Sequence, residues 1–155
     1  MQVSSDIRSL SINKLEKILL KENFDKYRAT QIFDWLTKGN IRSFDEMKNL
    51  PKELIHFLNS RFKLNNVVIQ LIKKSNDGTV KFLLSLSDSN IIEAVLIPTE
   101  KRITACVSSQ VGCSLDCDFC ATAKIKRMRN LDFYEIFDQL MICLLYTSDA
   151  ADDSQ

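Results

Sequence analysis

The chain has 155 residues, of which 21 are lysine or arginine and 20 are aspartate or glutamate, giving a formal net charge of +1. This length suits one domain with a buried core, and the balanced charge excludes nucleic-acid binding through overall charge alone. Neither an apolar run of membrane-spanning length nor the apolar segment of a signal peptide is present, so we expect a cytoplasmic protein without a membrane partner.

The first 65 residues have the pattern of a small helical domain. Ser11 is suited to cap a first helix, and apolar residues at helical spacing predict a second helix over residues 28–38. Ser43 and Glu46 have the spacing of a capping box, and Pro51 suits the first turn of a third helix.

From Asn66 the pattern changes to that of β-strands. Two apolar runs flank Asp77 and Gly78, a dipeptide that favours the positive φ angles of a tight hairpin turn. Further strands are predicted over residues 90–97 and 103–107.

Glu93 interrupts the apolar strand IIEAVLIP. Strand alternation places it on the face shared by Ile91, Val95 and Ile97. Such a carboxylate lies either at a solvent-exposed edge or in a site that shifts its pKa. The usual exposure of acidic residues favours the edge.

Three cysteines, Cys113, Cys117 and Cys120, have the spacing C-x3-C-x2-C. Thiolates select zinc, copper(I) or an iron–sulfur cluster, and because a 4Fe-4S cluster ordinarily takes four cysteines, three would leave one iron open. The alternatives are a zinc site with Cys106 as fourth ligand and thiols with no ligand role. The odd total of five cysteines fits a reducing compartment better than a disulfide framework.

These cysteines, with Phe119 before the last of them, resemble the signature of radical S-adenosylmethionine enzymes. The longer run VSSQVGC, CATA, RNL and EIFDQ resembles the dual-specificity family that methylates C2 of adenine in 23S ribosomal RNA and in transfer RNA. The resemblance covers roughly residues 10 to 140.

The resemblance implies an α/β fold in three parts. These are a helical N-terminal domain that helps to engage RNA over residues 1–65, a β-hairpin connection over residues 66–101, and the start of a partial (β/α) barrel over residues 102–142. The strand ending near Val107 would then open the parallel barrel and present the cluster at its C-terminal end.

The resemblance also implies the site residues. Cys113, Cys117 and Cys120 would bind the 4Fe-4S cluster, and Phe119 would lie beside S-adenosylmethionine. Two residues are implied as catalytic: Glu93 as a proton acceptor, and Cys106 as a redox cysteine that resolves an RNA adduct through a transient disulfide. Either of these two could take the proton. For Glu93 the resemblance therefore reverses the preference for an exposed edge and favours a site that shifts its pKa.

Adenine C2 is electron-poor and has no nucleophilic lone pair, so a radical route replaces direct methyl displacement. In the implied route the methyl group is first carried by a cysteine near the C-terminus, and an electron donor such as flavodoxin drives the chemistry. That cysteine would lie beyond this chain, so we expect the 155-residue chain to be a truncated, inactive fragment of a monomeric enzyme.

Residues 124–129 contain four cations and no acidic residue. This run would suit phosphate contacts that weaken with salt, or it forms an ordinary solvated loop. Asn130 or Asp132 is then suited to cap a final helix.

The last stretch, residues 143–155, departs from the helical pattern before it. The segment CLLYTSDAADD resembles one reading frame of the transposase adaptor used in sequencing libraries, and we predict that the stretch is an adaptor-derived artefact. Cys143 should therefore not be a metal ligand, and the natural protein should continue beyond residue 142.

Two other functions remain open. The first is that of the related enzyme that methylates C8 of the same kind of adenine and confers antibiotic resistance. The second is a non-catalytic RNA-binding module stabilised by zinc.

Overall fold

The computed structural model describes residues 5–38, 41–113 and 126–152, and shows an α/β chain. The chain divides into two compact units, residues 1–65 and 66–155. The predicted α/β fold class, with a helical N-terminal domain followed by a β-hairpin, is confirmed. Among the described residues no helix is both long enough and apolar enough to cross a membrane.

The first unit contains three α-helices at the predicted places: α1 (Ile12–Lys21), α2 (Tyr27–Lys38) and α3 (Lys52–Arg61). Short 3-10 turns cover Ile7–Ser9 and Phe44–Glu46. The unit has its own apolar core, to which each helix contributes one face. Its largest fully buried side chains are those of Ile7, Leu15, Leu19, Ile32, Met47, Leu54 and Leu58.

The helix starts follow the predicted caps, with differences in detail. Ser11 precedes α1, but it is its backbone carbonyl, not its hydroxyl, that accepts hydrogen bonds from the first turn. Ser43 and Glu46 form the predicted capping box, and it begins the 3-10 turn Phe44–Glu46. Pro51 is the residue immediately before α3.

The second unit is built on a four-stranded antiparallel sheet with the strand order β1-β2-β3-β4. Its strands are β1 (Val68–Lys74), β2 (Val80–Ser85), β3 (Ile91–Pro98) and β4 (Ile103–Cys106). A separate two-stranded ladder pairs β5 (Gln110–Val111) with β6 (Arg129–Asn130), and α4 covers Phe133–Asp152.

The position of β4 differs from the expected opening of a parallel barrel. β4 pairs with β3 in antiparallel fashion, with Val95 opposite Cys106. Only a tight turn joins the two strands, closed by a hydrogen bond from the Thr99 N–H to the Arg102 carbonyl. A parallel pair would need a crossover of about a dozen residues, so a connection this short forces the antiparallel arrangement.

The sheet has one covered and one open face. Residues of β2 and β3 that alternate with Glu93 are buried in a core that includes side chains of α4. Within this core the rings of Phe82 and Tyr146 meet edge to face, with centroids 5.2 Å apart. The opposite face carries Glu93 and the exposed side chains of Ile91 and Ile97.

The prediction that the helical pattern ends at Cys143 was wrong, because α4 continues to Asp152. The segment contains neither proline nor glycine, and its leucine and alanine residues are good helix formers. Cys143 is 2% exposed, and this burial raises the pKa of its thiol. The adaptor origin of residues 143–155 stays a prediction.

Gly78 occupies the hairpin turn with φ +84°, a conformation that side chains with a Cβ adopt at a cost. A Cβ at this position would lie 3.1 Å from Cγ of Pro98. We expect Gly78→Ala to lower the free energy of unfolding by about 1–3 kcal/mol. Urea unfolding would measure this, with Ser89→Ala as the control because Ser89 is a non-glycine residue that already has positive φ. A Gly78→Ala midpoint equal to that of the unchanged chain would contradict this account of the turn.

Candidate functional site

Glu93 and Cys106 lie on the same open face of the sheet. Cys106 is directly opposite Val95, and Glu93 is two residues before Val95 on the same strand. The two candidate catalytic residues are therefore diagonal neighbours, a relation that separates Cα atoms by about 7–8 Å in antiparallel sheets. Both residues are exposed. The sheet thus places a carboxylate and a thiol near each other on one exposed surface.

Glu93 is at a solvent-exposed position and not in an apolar environment. Its side chain is 43% exposed, and Oε1 lies 2.9 Å from Nζ of Lys81 on β2. Its backbone carbonyl accepts a hydrogen bond of 2.7 Å from Oγ of Ser108. The structure therefore shows the solvent-exposed alternative, which the resemblance had made the less favoured one. The ion pair itself adds little stability because it is surface-exposed.

Cys113 marks the start of the cysteine loop, defined here as residues 113–126. It follows Gly112, whose φ of +71° turns the backbone after β5. A β-bridge joins Cys113 to Lys126, so the two ends of the cysteine loop lie side by side. Cys117, Cys120 and the candidate cofactor contact Phe119 lie outside the described residues.

The donor set of this loop suits an iron–sulfur cluster, and also a zinc ion, because both take thiolate ligands. Its three motif thiols are soft ligands, and the loop contains neither histidine nor glutamate. In the described ranges no group of three or more His, Cys, Asp or Glu side chains could hold a metal ion. The described cysteines Cys106, Cys113 and Cys143 form no disulfide, so the predicted disulfide is not supported.

Arg129 binds two carboxylates within its own unit, a role that its position in the basic segment 124–129 did not predict. Its guanidinium donates two hydrogen bonds to Glu135, of 2.7 and 2.8 Å, and one of 2.8 Å to Asp88. The bonds to Glu135 are the main cause of its raised pKa, ahead of the bond to Asp88. Arg129 is therefore engaged inside the unit, while Lys126 and Arg127 are exposed.

The two carboxylates that bind Arg129 differ in environment. Burial opposes ionisation of Asp88, but the hydrogen bonds from Arg129 and Asn90 outweigh it, so the pKa of Asp88 is lowered. Glu135 is only 2% exposed and also accepts a hydrogen bond from the Asp132 N–H at the start of α4. The D-x-x-E spacing of Asp132 and Glu135 is the sequence signal that could have identified this contact.

Residues 5–64 match the family described as "Ribosomal RNA large subunit methyltransferase N-terminal domain". Over 136 residues the chain is 48% identical to a protein of Christiangramia forsetii named "Probable dual-specificity RNA methyltransferase RlmN", covering 88% of this chain and 39% of that protein. A protein of the same name from Flavobacterium johnsoniae is 48% identical over 142 residues, covering 91% of this chain and 41% of the relative.

The structure is also similar to a crystal structure described as a radical SAM methyltransferase from Sphaerobacter thermophilus. The TM-score is 0.80 at 34% sequence identity, over 95% of this chain and 43% of the other. The chain thus spans about two fifths of the length of the curated relatives it matches.

Proposed function

Because this chain belongs to the family of dual-specificity RNA methyltransferases among the radical S-adenosylmethionine enzymes, we propose that the complete protein methylates C2 of adenine in 23S ribosomal RNA and in transfer RNA. One observation carries the proposal beyond the likeness of sequence. The open sheet face with Glu93 and Cys106 leads within a few residues to Cys113, so an acid–base group, a thiol and a cluster ligand belong to one continuous segment.

Cys113, Cys117 and Cys120 would hold a 4Fe-4S cluster, with S-adenosylmethionine at its open iron beside Phe119. When bound, these groups would supply radical chemistry able to take hydrogen from a methyl group carried by the protein. The chain's own cysteines would provide the sulfur ligands, and Glu93 and Cys106 on the open sheet face would provide the groups that handle protons.

Two residues on the open face have proposed roles in product formation. Once the methyl carbon is joined to C2, the C2 proton must be removed, and Glu93 or Cys106 accepts it. The Glu93 carboxylate lies 2.9 Å from the Lys81 ammonium and is open to solvent on this face, where it can be reached by a substrate. Cys106 would act as the thiol that releases the covalent RNA adduct.

The remaining proposals concern partners and location. The helical first unit would help to engage RNA, and an electron donor such as flavodoxin would supply electrons in the cytoplasm. Exposed lysines on α1 and α2 are compatible with RNA contact, although Lys38 already pairs with Asp34 at 3.2 Å. The complete enzyme would act as a monomer.

The product of the complete protein tests the proposed function. After anaerobic reconstitution with iron and sulfide, we expect it to convert adenine in a 23S ribosomal RNA fragment to 2-methyladenine, with S-adenosylmethionine and a reductant present. Mass spectrometry of nucleosides against 2-methyl and 8-methyl standards would identify the product. Formation of 8-methyladenine would favour the resistance relative. Binding of one zinc without iron would favour the zinc-stabilised RNA-binding module.

A further inference from the structure

A polar network lies beside the ends of the cysteine loop, with Glu135 and Gln139 buried and Arg129 and Asp88 partly exposed. Arg129 on β6 binds Glu135 of α4 through two hydrogen bonds and also reaches Asp88, in the turn between β2 and β3. The Arg129 guanidinium therefore links β6, α4 and the turn between β2 and β3. The two-bond geometry requires the planar fork of arginine.

Gln139 binds the backbone that precedes the cysteine loop. Its side chain is fully buried, and Oε1 accepts a 2.8 Å hydrogen bond from the Ser108 N–H while Nε2 donates one of 3.0 Å to the Ser108 carbonyl. Nε2 also donates to the Glu135 carbonyl at 3.1 Å. Gln139 thus holds the backbone that enters the loop, while Arg129 and Glu135 hold the backbone that leaves it.

The β5–β6 ladder, which lies between the residues bound by Gln139 and by Arg129, is short. β5 and β6 each have two residues, supplemented by hydrogen bonds from Met128 N–H to Val111 and from Leu131 N–H to Ser109. An isolated pair of short strands has little stability of its own. The ladder therefore depends on contacts outside it, both the burial of Val111 and Leu131 in the apolar core and the polar side chains of Arg129, Glu135 and Gln139.

We propose that Arg129, Glu135 and Gln139 form a clamp that positions the two ends of the cysteine loop. This inference rests on the proposed function in one respect only, namely that the loop binds an iron–sulfur cluster. Ligands on a loop can meet one cluster only if the loop ends are fixed relative to each other. The three residues act through the backbone on either side of the loop, so they are positioning residues.

Two variants and two matched controls test the clamp in the 155-residue chain. Arg129→Lys keeps the charge but removes the paired hydrogen bonds, and Gln139→Met keeps the length but removes the contacts to Ser108. Arg102→Lys and Gln70→Met make the same changes at exposed positions outside the network. Should Gln139→Met fail to fold, Arg129→Lys decides the test.

The first readout is hydrogen exchange in the metal-free chain. We expect amides of residues 108–113 and 126–131 to exchange about tenfold faster in the clamp variants, because each variant loses hydrogen bonds worth about a factor of ten. Amides of β2 should change less than about twofold, and the controls should not change. Equal acceleration in β2 and at the loop ends would overturn the proposal, since it would show a loss of general stability alone.

The second readout is the cluster. Reconstituted Arg129→Lys should release iron to a chelator about tenfold faster than the unchanged chain and broaden the electron paramagnetic resonance signal of the reduced cluster. Iron release and a signal identical to those of the unchanged chain would overturn the positioning role. If the unchanged chain takes up no iron and sulfide, the proposed function fails, and the exchange experiment still decides the clamp.

Discussion

Replacing Cys113 or Cys117 by serine should abolish uptake of iron and sulfide, whereas replacing Cys106 should leave uptake unchanged. A hydroxyl is a poor ligand for iron in a cluster, and with only three motif thiols no spare ligand remains. Cys106 belongs to β4 and faces the open side of the sheet with Glu93, in a position suited to a separate step. Iron, zinc and sulfide per chain after anaerobic reconstitution would measure the effect.

The Cys106→Ser variant serves as the control because it removes a thiol from the same segment. Cys143 is less suitable for that purpose, since it is buried and a serine there would disturb the core. If Cys106→Ser lost the metal together with Cys113→Ser, a closed site with four cysteine ligands would be indicated. Zinc in the unchanged chain would then assign that site to a structural zinc ion.

Local sequence signals predicted much of the fold because they depend on neighbouring residues. The hairpin turn followed from Asp77 and Gly78, since few residues tolerate its backbone angles. The capping box at Ser43 and Glu46 depends on a spacing of three residues, and it formed as predicted. Alternation along one strand also placed Glu93 on the face of Ile91 and Ile97, but it did not decide whether that face is exposed.

Features that depend on distant contacts were not predictable in the same way. Arg129 looked like one cation of a basic loop, and only the folded chain places it between Asp88 and Glu135. Gln139 similarly had no signal for its bonds to Ser108, which lies 31 residues earlier. The helical continuation past Cys143 was missed because the sequence looked foreign, although helix formation depends on propensity and packing and not on origin.

In the complete protein, Glu93→Gln should slow methyl transfer to RNA in a single turnover by about 10²–10⁴-fold, the usual contribution of a positioned general base. Glutamine keeps the shape of the side chain but cannot accept the C2 proton. The variant should remain folded, since the exposed Lys81–Glu93 pair contributes at most about 1 kcal/mol. RNA affinity should change little if Glu93 acts on the reaction and not on binding.

Glu100→Gln is the matched control for this prediction, because it makes the same change at an exposed residue of the turn between β3 and β4. Rates would be followed by quenching single turnovers and quantifying 2-methyladenine. If Glu93→Gln kept the rate within about fivefold, Glu93 could not be the required general base, and Cys106 would be left to take the proton. Recovery of the Glu93→Gln rate at higher pH would also indicate Cys106 as the base, because a thiolate accepts a proton and a thiol does not. A slow variant with no rescue would assign the proton to the carboxylate on the open face.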